Sequence, residues 1–408
     1  MHWVYNLTIA LYHFVLLLVA PFYQKARDFR NGRKDWRATL KESLVQRKDK
    51  LIWVHAASQG EYQQGLPVIK ELKRIHEDVF ILVTFFSPSG YQAFEESDFV
   101  DAIAYLPLDY TRNAKDFLDI TKPQLALFIK YEFWYNYMIA LSQRSIPLVL
   151  ISSVFRSDQM FFHSMGSFYL TALKNTTHFF VQDNRSAQLL KSHGMEQYTI
   201  AGDSRLDHML TIKNSTWSDQ KIVQFIDDSL TMVCGSVWPS DWKYLKLLIN
   251  RFKEVKFVIA PHEVSEDSLK LYDEISSGVA HSGWEGENAQ VMIVDSIGTL
   301  KFLYRYADVA YVGGALRGAV HNTVEPAVYG IPVIIAEHTK NVKFNEVVDL
   351  KNAGGLLTFD DEDQLFDIFE QLIHDRKQRE LLGKKNMDYV MSRSGATEKI
   401  MAKLSEYL

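Results

Sequence analysis

The sequence predicts an α/β protein built from two doubly wound, Rossmann-like domains that face each other across a cleft. Short apolar runs alternate with helical patterns, which indicates parallel sheets covered by helices on both faces. The runs are too numerous for one small sheet, and a polar stretch at 212–228 divides them into two sets. A length of 408 residues also fits two domains.

The apolar runs predict seven strands in the first half of the chain and six in the second. The first set is Leu51–Ala57, Val79–Phe86, Ala102–Leu106, Leu125–Ile129, Leu148–Ser152, His178–Val181 and Tyr198–Ala201. The second set is Met232–Gly235, Lys256–Ala260, Val291–Val294, Val309–Gly313, Pro332–Ile335 and Gly355–Phe359. Helical patterns between the runs include Gln64–His76, Trp242–Phe252, Leu300–Tyr306 and Asp363–Arg379. Ligands are expected where the strands end and loops enter helices.

The N-terminus differs from the rest of the chain. Residues 1–24 contain no charged side chain, and six basic residues follow between Lys25 and Arg37. About 20 apolar residues in a helix cover the ~30 Å hydrocarbon layer, and the basic cluster would remain cytoplasmic. We expect a membrane anchor at 1–24 that either spans the bilayer or lies in its plane. A buried first helix, suggested by Asn6 and His13, and a signal peptide are the alternatives.

Composition excludes several classes of protein. A hydrophobic fraction of 47% excludes long disorder, and a net charge of −5 argues against a general nucleic-acid binder. Cys234 is the only cysteine, which excludes intramolecular disulfides and cysteine-rich metal sites. No Walker A, GxGxxG, HExxH or GxSxG motif is present in the expected context. The acidic run 360–363 lies beside a helix start and interacts favourably with the helix dipole, so we do not expect it to bind a metal. We also expect no cofactor.

The first candidate site runs from Trp53 to Glu61, where the first strand enters a helix. Gly60 allows close approach of a ligand to the backbone. Glu61 falls in the first helical turn, where its carboxylate can accept a proton from an alcohol. The same residues also fit a capping box, in which Ser58 and Glu61 only satisfy helix amides.

The second candidate site is Lys130–Asn136, directly after an apolar strand. Lys130 and Glu132 are expected at the same edge of the cleft. The alternative is that they simply pair with each other.

The third candidate site is the glycine-rich segment 313–327, which leads into a helix. Free amides around Asn322 and Thr323 would bind a phosphate, and Glu325 would accept hydrogen bonds from a ribose diol. The alternative is a helix cap and its partner. Two weaker candidates, Ser236 and His262, directly follow strands of the second half, and Arg205 falls near the domain junction.

Together these motifs resemble the 3-deoxy-D-manno-octulosonic acid (Kdo) transferases of lipopolysaccharide assembly, through essentially the whole chain. The matching segments are the Ser-x-Gly-Glu after Trp-x-His at 53–61, the Gly-Asp-Ser-Arg at 202–205 and the Gly-Gly…His-Asn-x-x-Glu-Pro-Ala at 313–327. The resemblance implies a GT-B fold with a membrane anchor at 1–24, an acceptor-binding domain at 25–211 and a donor-binding domain at 212–408. It implies cytidine monophosphate–Kdo (CMP-Kdo) as donor and a lipid A precursor as acceptor, at the cytoplasmic face of the inner membrane.

The resemblance also implies roles for individual residues. Glu61 would be the general base of an inverting, metal-independent displacement. Expected acceptor-binding residues are Ser58, Gly60, Glu132, Trp134 and Asn136. Expected donor-binding residues are Arg205, Ser236, His262, Gly313, Gly314, Asn322, Thr323 and Glu325.

The chain departs from the family pattern in three places. Lys130 and Tyr135 stand where the family often has a Glu and a Pro, and Pro261-His262 lacks the intervening Arg. A donor-phosphate contact is then expected from Arg317 or Lys340. Two other hypotheses are another GT-B envelope enzyme that uses a UDP-sugar, and a membrane-tethered binding protein whose motifs are only caps.

Overall fold

The computed structural model describes residues 2–47, 50–163, 166–265 and 278–408. The chain divides into two compact units, Met1–His208 with Arg393–Leu408, and Met209–Ser392. The predicted boundary after residue 211 falls close to this division. The return of the C-terminal residues to the first unit was not predicted.

The first unit contains a seven-stranded parallel sheet in the order β3-β2-β1-β4-β5-β6-β7. Its strands are β1 (Lys50–Ala56), β2 (Val79–Phe85), β3 (Ala102–Tyr105), β4 (Leu125–Ile129), β5 (Leu148–Ser153), β6 (His178–Val181) and β7 (Tyr198–Ile200). Its helices are α1 (His2–Val19), α2 (Gln24–Asn31), α3 (Trp36–Ser43), α4 (Gln59–Ile75), α5 (Pro88–Gln92), α6 (Thr111–Thr121), α7 (Tyr135–Gln143), α8 (Ser167–Lys174) and α9 (Asn184–Ser192). Every residue of β2 and β4 is buried, as expected for strands covered on both faces.

The second unit contains another seven-stranded parallel sheet, in the order β10-β11-β9-β8-β12-β13-β14. The helix α10 (Ser204–Lys213) leads into it, and α11 (Gln220–Ile226) follows. The strands are β8 (Thr231–Val237), β9 (Lys256–Pro261), β10 (Gly278–Ala280), β11 (Val291–Ile293), β12 (Val309–Val312), β13 (Val333–Ala336) and β14 (Leu356–Phe359). The remaining helices of this unit are α12 (Pro239–Arg251), α13 (Leu300–Leu303), α14 (Val324–Val328), α15 (Asn345–Ala353), α16 (Glu362–His374) and α17 (Arg376–Arg393). The last helix, α18 (Ala396–Leu404), belongs to the first unit.

Several predicted elements need correction. The helix predicted over Asp363–Arg379 is two helices, because Asp375 adopts an extended conformation between α16 and α17. The edge strand β10 was not predicted; it has only three residues. The polar stretch at 212–228 is not a free linker, since α11 buries Ile222 and Phe225 in the second unit.

The N-terminal segment forms two helices separated by a sharp bend. Among the described residues, no single helix has the length and hydropathy of a membrane span. The pair Trp3–Val19 and Gln24–Asn31, bent by 119°, meets those criteria only when taken together.

Candidate active site

Both sheets reverse their strand order at one point, and the candidate motifs follow the strands on either side of it. In the first unit the reversal lies between β1 and β4, and the segments 57–61 and 130–136 follow these two strands. In the second unit it lies between β8 and β12, which are followed by Trp238 and by the glycine loop at 313. Such reversals are where doubly wound sheets bind ligands, at the carboxyl ends of the strands.

Glu61 lies in the first turn of α4, as the sequence predicts, and is only partly buried. The hydroxyl of Ser58 donates a hydrogen bond to its carboxylate Oε2. Ser58 is the N-cap residue, but its side chain makes no capping hydrogen bond to the helix amides. The arrangement therefore differs from a capping box, and Ser58 orients the Glu61 carboxylate.

Gly60 is exposed beside this pair. A Cβ built on it would approach only Ser58 Oγ, at 3.7 Å. The fold of the first unit therefore does not itself require a glycine there, and the predicted ligand contact with the backbone remains a prediction.

A buried chain of polar groups connects the ends of β1 and β4. The Glu132 carboxylate Oε2 accepts a hydrogen bond from Trp134 Nε1 at 2.6 Å and lies 3.0 Å from His55 Nε2. His55 Nδ1 lies 2.8 Å from Thr84 Oγ1, which in turn accepts from Trp53 Nε1 at 2.8 Å. The Glu132 carboxylate is therefore held by His55 of the Trp-x-His motif and by Trp134.

Asn136 fastens α1 to the end of β4. Its amide nitrogen donates to Asn6 Oδ1 at 2.9 Å and to the carbonyl of Asp109 at 2.5 Å. Its amide oxygen accepts from Thr111 at 3.0 Å. With the side chain 4% exposed and engaged on both atoms, this geometry argues against the predicted contact with the acceptor.

Arg205 belongs to the first unit and pairs with its neighbour Asp203. The guanidinium donates to Asp203 Oδ2 from Nε at 2.8 Å and from Nη2 at 2.6 Å. Burial of Asp203 would raise the pKa of this carboxyl, but the charge and hydrogen bonds of Arg205, helped by Lys130, hold it below its usual value. Lys130 itself has a φ of 67°, a left-handed conformation that is costly for a residue with a Cβ.

The glycine loop of the second unit is held by Asp241, in the first turn of α12. Asp241 Oδ2 accepts from the backbone amides of Trp238 at 2.9 Å and Gly314 at 3.0 Å. Its Oδ1 accepts from the Tyr311 hydroxyl at 2.9 Å. Burial raises the pKa of Asp241, and these three hydrogen bonds oppose that effect. This role of Asp241 was not predicted from the sequence.

Gly313 and Gly314 are both required by the geometry of the loop. A Cβ on Gly313 would lie 2.4 Å from the Ser236 carbonyl oxygen, and Gly314 has a φ of 83°. These residues therefore shape the end of β12, while the donor contacts expected of them remain predictions.

A cavity of about 220 Å³ lies beside this loop and brings three of the predicted donor-binding residues together. Ser236, Asn322 and Glu325 line it, together with Lys301, Tyr304 and His321, which the sequence analysis did not select. Asn322 also donates to Glu325 Oε1 at 3.1 Å and accepts from the Val324 amide at 3.2 Å. The residues that cap the helix therefore also form part of the cavity wall. The volume suits part of a ligand rather than a whole one.

The anion site expected at 322–323 needs correction. The helix that begins there, α14, has only five residues, so few peptide dipoles add up at its N-terminus. Thr323 is fully buried, is not among the residues that line the cavity, and its hydroxyl has no hydrogen-bond partner among the described residues. Lys301 places positive charge in the cavity wall instead. The predicted helix over Leu300–Tyr306 contains this lysine, and that was the sequence signal that could have pointed to it.

His262 belongs to a stack of rings next to the cavity. It lies over Trp238 with ring centroids 3.9 Å apart, and the guanidinium carbon of Arg317 lies 4.3 Å from the Trp238 ring. Trp238 Nε1 donates to His321 Nε2 at 3.1 Å. Burial lowers the pKa of His262, and burial together with nearby His262 lowers that of His321 to about 4. Both rings are therefore neutral near pH 7.

Comparison with known proteins decides the type of enzyme. Residues 34–208 match the family model described as 3-deoxy-D-manno-octulosonic-acid transferase. A 3-deoxy-D-manno-octulosonic acid transferase of Aquifex aeolicus is 27% identical over 361 residues, which cover 84% of this chain and 93% of the relative. That of Haemophilus influenzae is 26% identical over 381 residues, covering 88% of this chain and 87% of the relative.

The chain is a glycosyltransferase related to the Kdo transferases. The sequence match runs through both units, so it includes the motifs at both strand-order reversals.

Solved structures support the fold of the transferase. The UDP-GlcNAc 2-epimerase from Neisseria meningitidis has a TM-score of 0.63 at 17% identity, covering 88% of this chain and 100% of that one. MurG of Acinetobacter baumannii has a TM-score of 0.54 at 13% identity, with the same coverage. At this identity the likeness concerns the fold alone, and it fits the GT-B fold that the sequence predicts.

Proposed function

We propose that the transferase moves Kdo from CMP-Kdo to a lipid A precursor, with inversion at the anomeric carbon and with Glu61 as general base. The observation that carries this proposal is the position of both motif sets after the strands that flank the reversal of each sheet. The relationship to the Kdo transferases supplies the identity of the sugar.

The proposed reaction is a single displacement. The hydroxyl oxygen of the acceptor attacks the anomeric carbon of Kdo, and its proton passes to the Glu61 carboxylate. The bond between the anomeric carbon and the phosphate oxygen breaks, and CMP leaves with both electrons of that bond. One base is sufficient because no covalent enzyme intermediate forms, as in inverting glycosidases.

The donor is proposed to bind at the cavity of the second unit. Lys301 would stabilise the phosphate of the departing CMP, and Glu325 would accept hydrogen bonds from the ribose diol. Ser236 and Asn322 offer further polar contacts on the same wall. No step of this displacement requires a divalent metal, so we expect transfer to persist in the presence of EDTA.

The acceptor is proposed to meet the first unit near Glu61, Glu132 and Trp134. Trp134 and His55 hold the Glu132 carboxylate in one orientation, which suits a fixed hydrogen-bond acceptor for a sugar hydroxyl. The exposed apolar side chains of α1, such as Leu11 and Phe14, and Phe22 directly after it support work at a membrane surface, which we propose is the cytoplasmic face of the inner membrane.

The test is transfer by the purified full-length chain from CMP-Kdo to a detergent-dispersed lipid A precursor, followed by mass spectrometry. We expect the acceptor to gain the mass of Kdo, and CMP to bind more tightly than UDP in calorimetry. UDP-sugars in place of CMP-Kdo should give no product. Transfer or epimerisation of a UDP-sugar, with no turnover of CMP-Kdo, would overturn the proposal.

A further inference from the structure

A second cavity, of about 500 Å³, lies in the first unit, and none of the predicted site residues lines it. Its walls come from the C-terminal half of α1, from α2 and the loop after it, and from residues 107–113. The volume lies within the range of small-molecule sites. We call it the N-terminal cavity.

The helix that forms one wall is docked through polar side chains near its N-terminus and through the Tyr5 ring, which packs against Tyr135 and Tyr169. The Tyr5 hydroxyl donates to Asp109 Oδ2 at 2.5 Å, and Asn6 accepts from Asn136. His13 Nδ1 lies 3.1 Å from the Tyr110 hydroxyl. A surface helix of a soluble protein shows the opposite pattern, with its apolar side chains inward.

The apolar side chains of α1 therefore point away from the protein. Those more than 40% exposed are Trp3, Val4, Leu7, Leu11, Tyr12, Phe14, Val15, Leu17 and Leu18. Phe22, directly after the helix, is 89% exposed. A contiguous apolar face of this size marks a membrane or protein contact.

The lining of the N-terminal cavity combines apolar and basic groups. Leu16, Leu17 and Phe29 supply apolar surface, while Arg30 and Lys34 lie exposed at the wall. None of the lining residues is Asp or Glu. Within the described ranges, no carboxylate forms an ion pair with Arg30, Arg33 or Lys34.

Arg33 adds a fixed positive charge to this wall. Its guanidinium donates to the carbonyls of Leu106 at 2.9 Å, Phe29 at 3.2 Å and Phe86 at 2.6 Å, and its carbon lies 3.5 Å from the centre of the Phe29 ring. Burial lowers the pKa of Arg33 to about 9, so the side chain remains mostly charged near pH 7. Since carbonyl oxygens carry only partial charges, the positive potential of Arg33 extends into the cavity.

We propose that the N-terminal cavity binds one anionic phospholipid of the membrane, with the headgroup phosphate at Arg30 and Lys34 and the first acyl methylenes against Leu16, Leu17 and Phe29. The basic side chains of the wall suit a headgroup phosphate, and its apolar side chains suit an acyl chain. Inorganic phosphate has no acyl chain, so the apolar wall favours a lipid over the free ion. The exposed face of α1 places the opening beside the lipid that would enter it. The inference rests on the membrane-surface part of the proposed function and is independent of glycosyl transfer.

The test uses a short-chain lipid that stays monomeric, so that bilayer attachment does not contribute. Full-length protein is titrated with dihexanoyl phosphatidylglycerol, and binding is followed by calorimetry and native mass spectrometry. We expect saturable one-to-one binding, with dihexanoyl phosphatidylcholine and inorganic phosphate at least about tenfold weaker.

Two variants separate the cavity from general surface charge. The double substitution Arg30→Ala/Lys34→Ala should weaken binding by about 10- to 30-fold, as expected for loss of two basic contacts. Leu17→Trp keeps every charge but fills the cavity, and should weaken binding at least about tenfold. Arg376→Ala/Lys377→Ala, on exposed positions of α17, removes the same charge from the second unit and should bind as wild type.

Three results would overturn the proposal: no saturable binding by the wild type, equal binding of inorganic phosphate, or wild-type binding by Leu17→Trp. Thermal melts of each variant show that it is folded. Flotation with phosphatidylglycerol vesicles is measured separately. If the protein binds the monomeric lipid but does not float with vesicles, only the proposal that it works at a membrane surface is contradicted. A failed transfer assay would leave the lipid-binding and flotation results unchanged.

Discussion

At the scale of single residues, the two glycine-containing motifs have different physical needs. Gly313 is enclosed by the Ser236 carbonyl and the Asp241 carboxylate, whereas Gly60 faces open space. The sequence analysis treated both as places where a ligand approaches the backbone. Only the packed structure separates a glycine that the fold needs from one that it does not.

We expect Gly313→Ala to lower the free energy of unfolding by about 1–3 kcal/mol, because the new methyl group overlaps backbone and carboxylate atoms. Gly60→Ala should leave stability unchanged within about 0.5 kcal/mol, or raise it, since alanine favours a helix more than glycine. Urea unfolding of both variants gives the comparison. Equal losses of stability would contradict the steric argument.

His321 makes the second unit sensitive to acid. Its folded pKa of about 4 lies below the ordinary value of 6.5, so between these values the unfolded chain binds a proton that the folded chain does not. The stability contributed by the neutral ring is complete above about pH 6.5 and is lost as the pH falls towards 4. After allowance for partial exposure, the loss of stability from pH 7 to pH 5 is about 1 kcal/mol.

We therefore expect His321→Gln, which keeps an acceptor for Trp238, to lose less stability between pH 7 and pH 5 than the wild type does. The matched control is His374→Gln, at an exposed position of the same unit. Calorimetric unfolding at both pH values measures the difference. The same acid loss in wild type and His321→Gln would show that the buried ring is not responsible.

At the scale of secondary structure elements, α1 is held by a few polar contacts and by the ring of Tyr5, which packs against Tyr135 and Tyr169. Its hydroxyl contact at Tyr5 is one of the bonds to the buried Asp109, whose carboxylate also accepts from the amides of Asn136 and Tyr137. The contacts of α1 itself are long-range: Tyr5 and Asp109 are 104 positions apart, and Asn6 and Asn136 are 130 positions apart. Nothing local in the sequence indicates them, which is why Asn136 was assigned to the acceptor instead.

Tyr5→Phe should lower the free energy of unfolding by about 1–2 kcal/mol, because it removes a hydrogen-bond donor from a buried carboxylate. Amide exchange in α1 should become faster. Tyr12→Phe is the control on the same helix, since Tyr12 is 41% exposed. Identical exchange rates in α1 of both variants would contradict this account of how the helix is held.

Strands were easier to predict from sequence than helix ends. Runs such as Leu125–Ile129 and His178–Val181 coincide with β4 and β6, because buried parallel strands are continuously apolar. The break between α16 and α17 was missed because Asp375 is not a strong helix breaker by residue type.

At the scale of the whole molecule, the division into two parallel-sheet units follows from the alternation of strands and helices. The return of α18 to the first unit does not, since it depends on long-range contacts. The helix buries Ile400 and Leu404 in the core of that unit, and Asp207 accepts hydrogen bonds from the amides of Gly395 and Thr397. The role of Asp241 was missed for a similar reason, since its carboxylate binds the Tyr311 hydroxyl and the Gly314 amide, which are 70 and 73 positions away. The motifs at the strand-order reversals were found because topology alone brings those strand ends together.

The central claim is that Glu61 removes the proton from the acceptor hydroxyl, and the most direct measurement is the turnover of Glu61→Gln with saturating CMP-Kdo and lipid A precursor. The account predicts that kcat falls by about 10²–10⁴-fold, while the Kd for CMP and the melting temperature stay at wild-type values. The kcat of Ser58→Ala should fall far less, because Ser58 only orients the Glu61 carboxylate. A Glu61→Gln enzyme within about tenfold of wild-type turnover would contradict the claim.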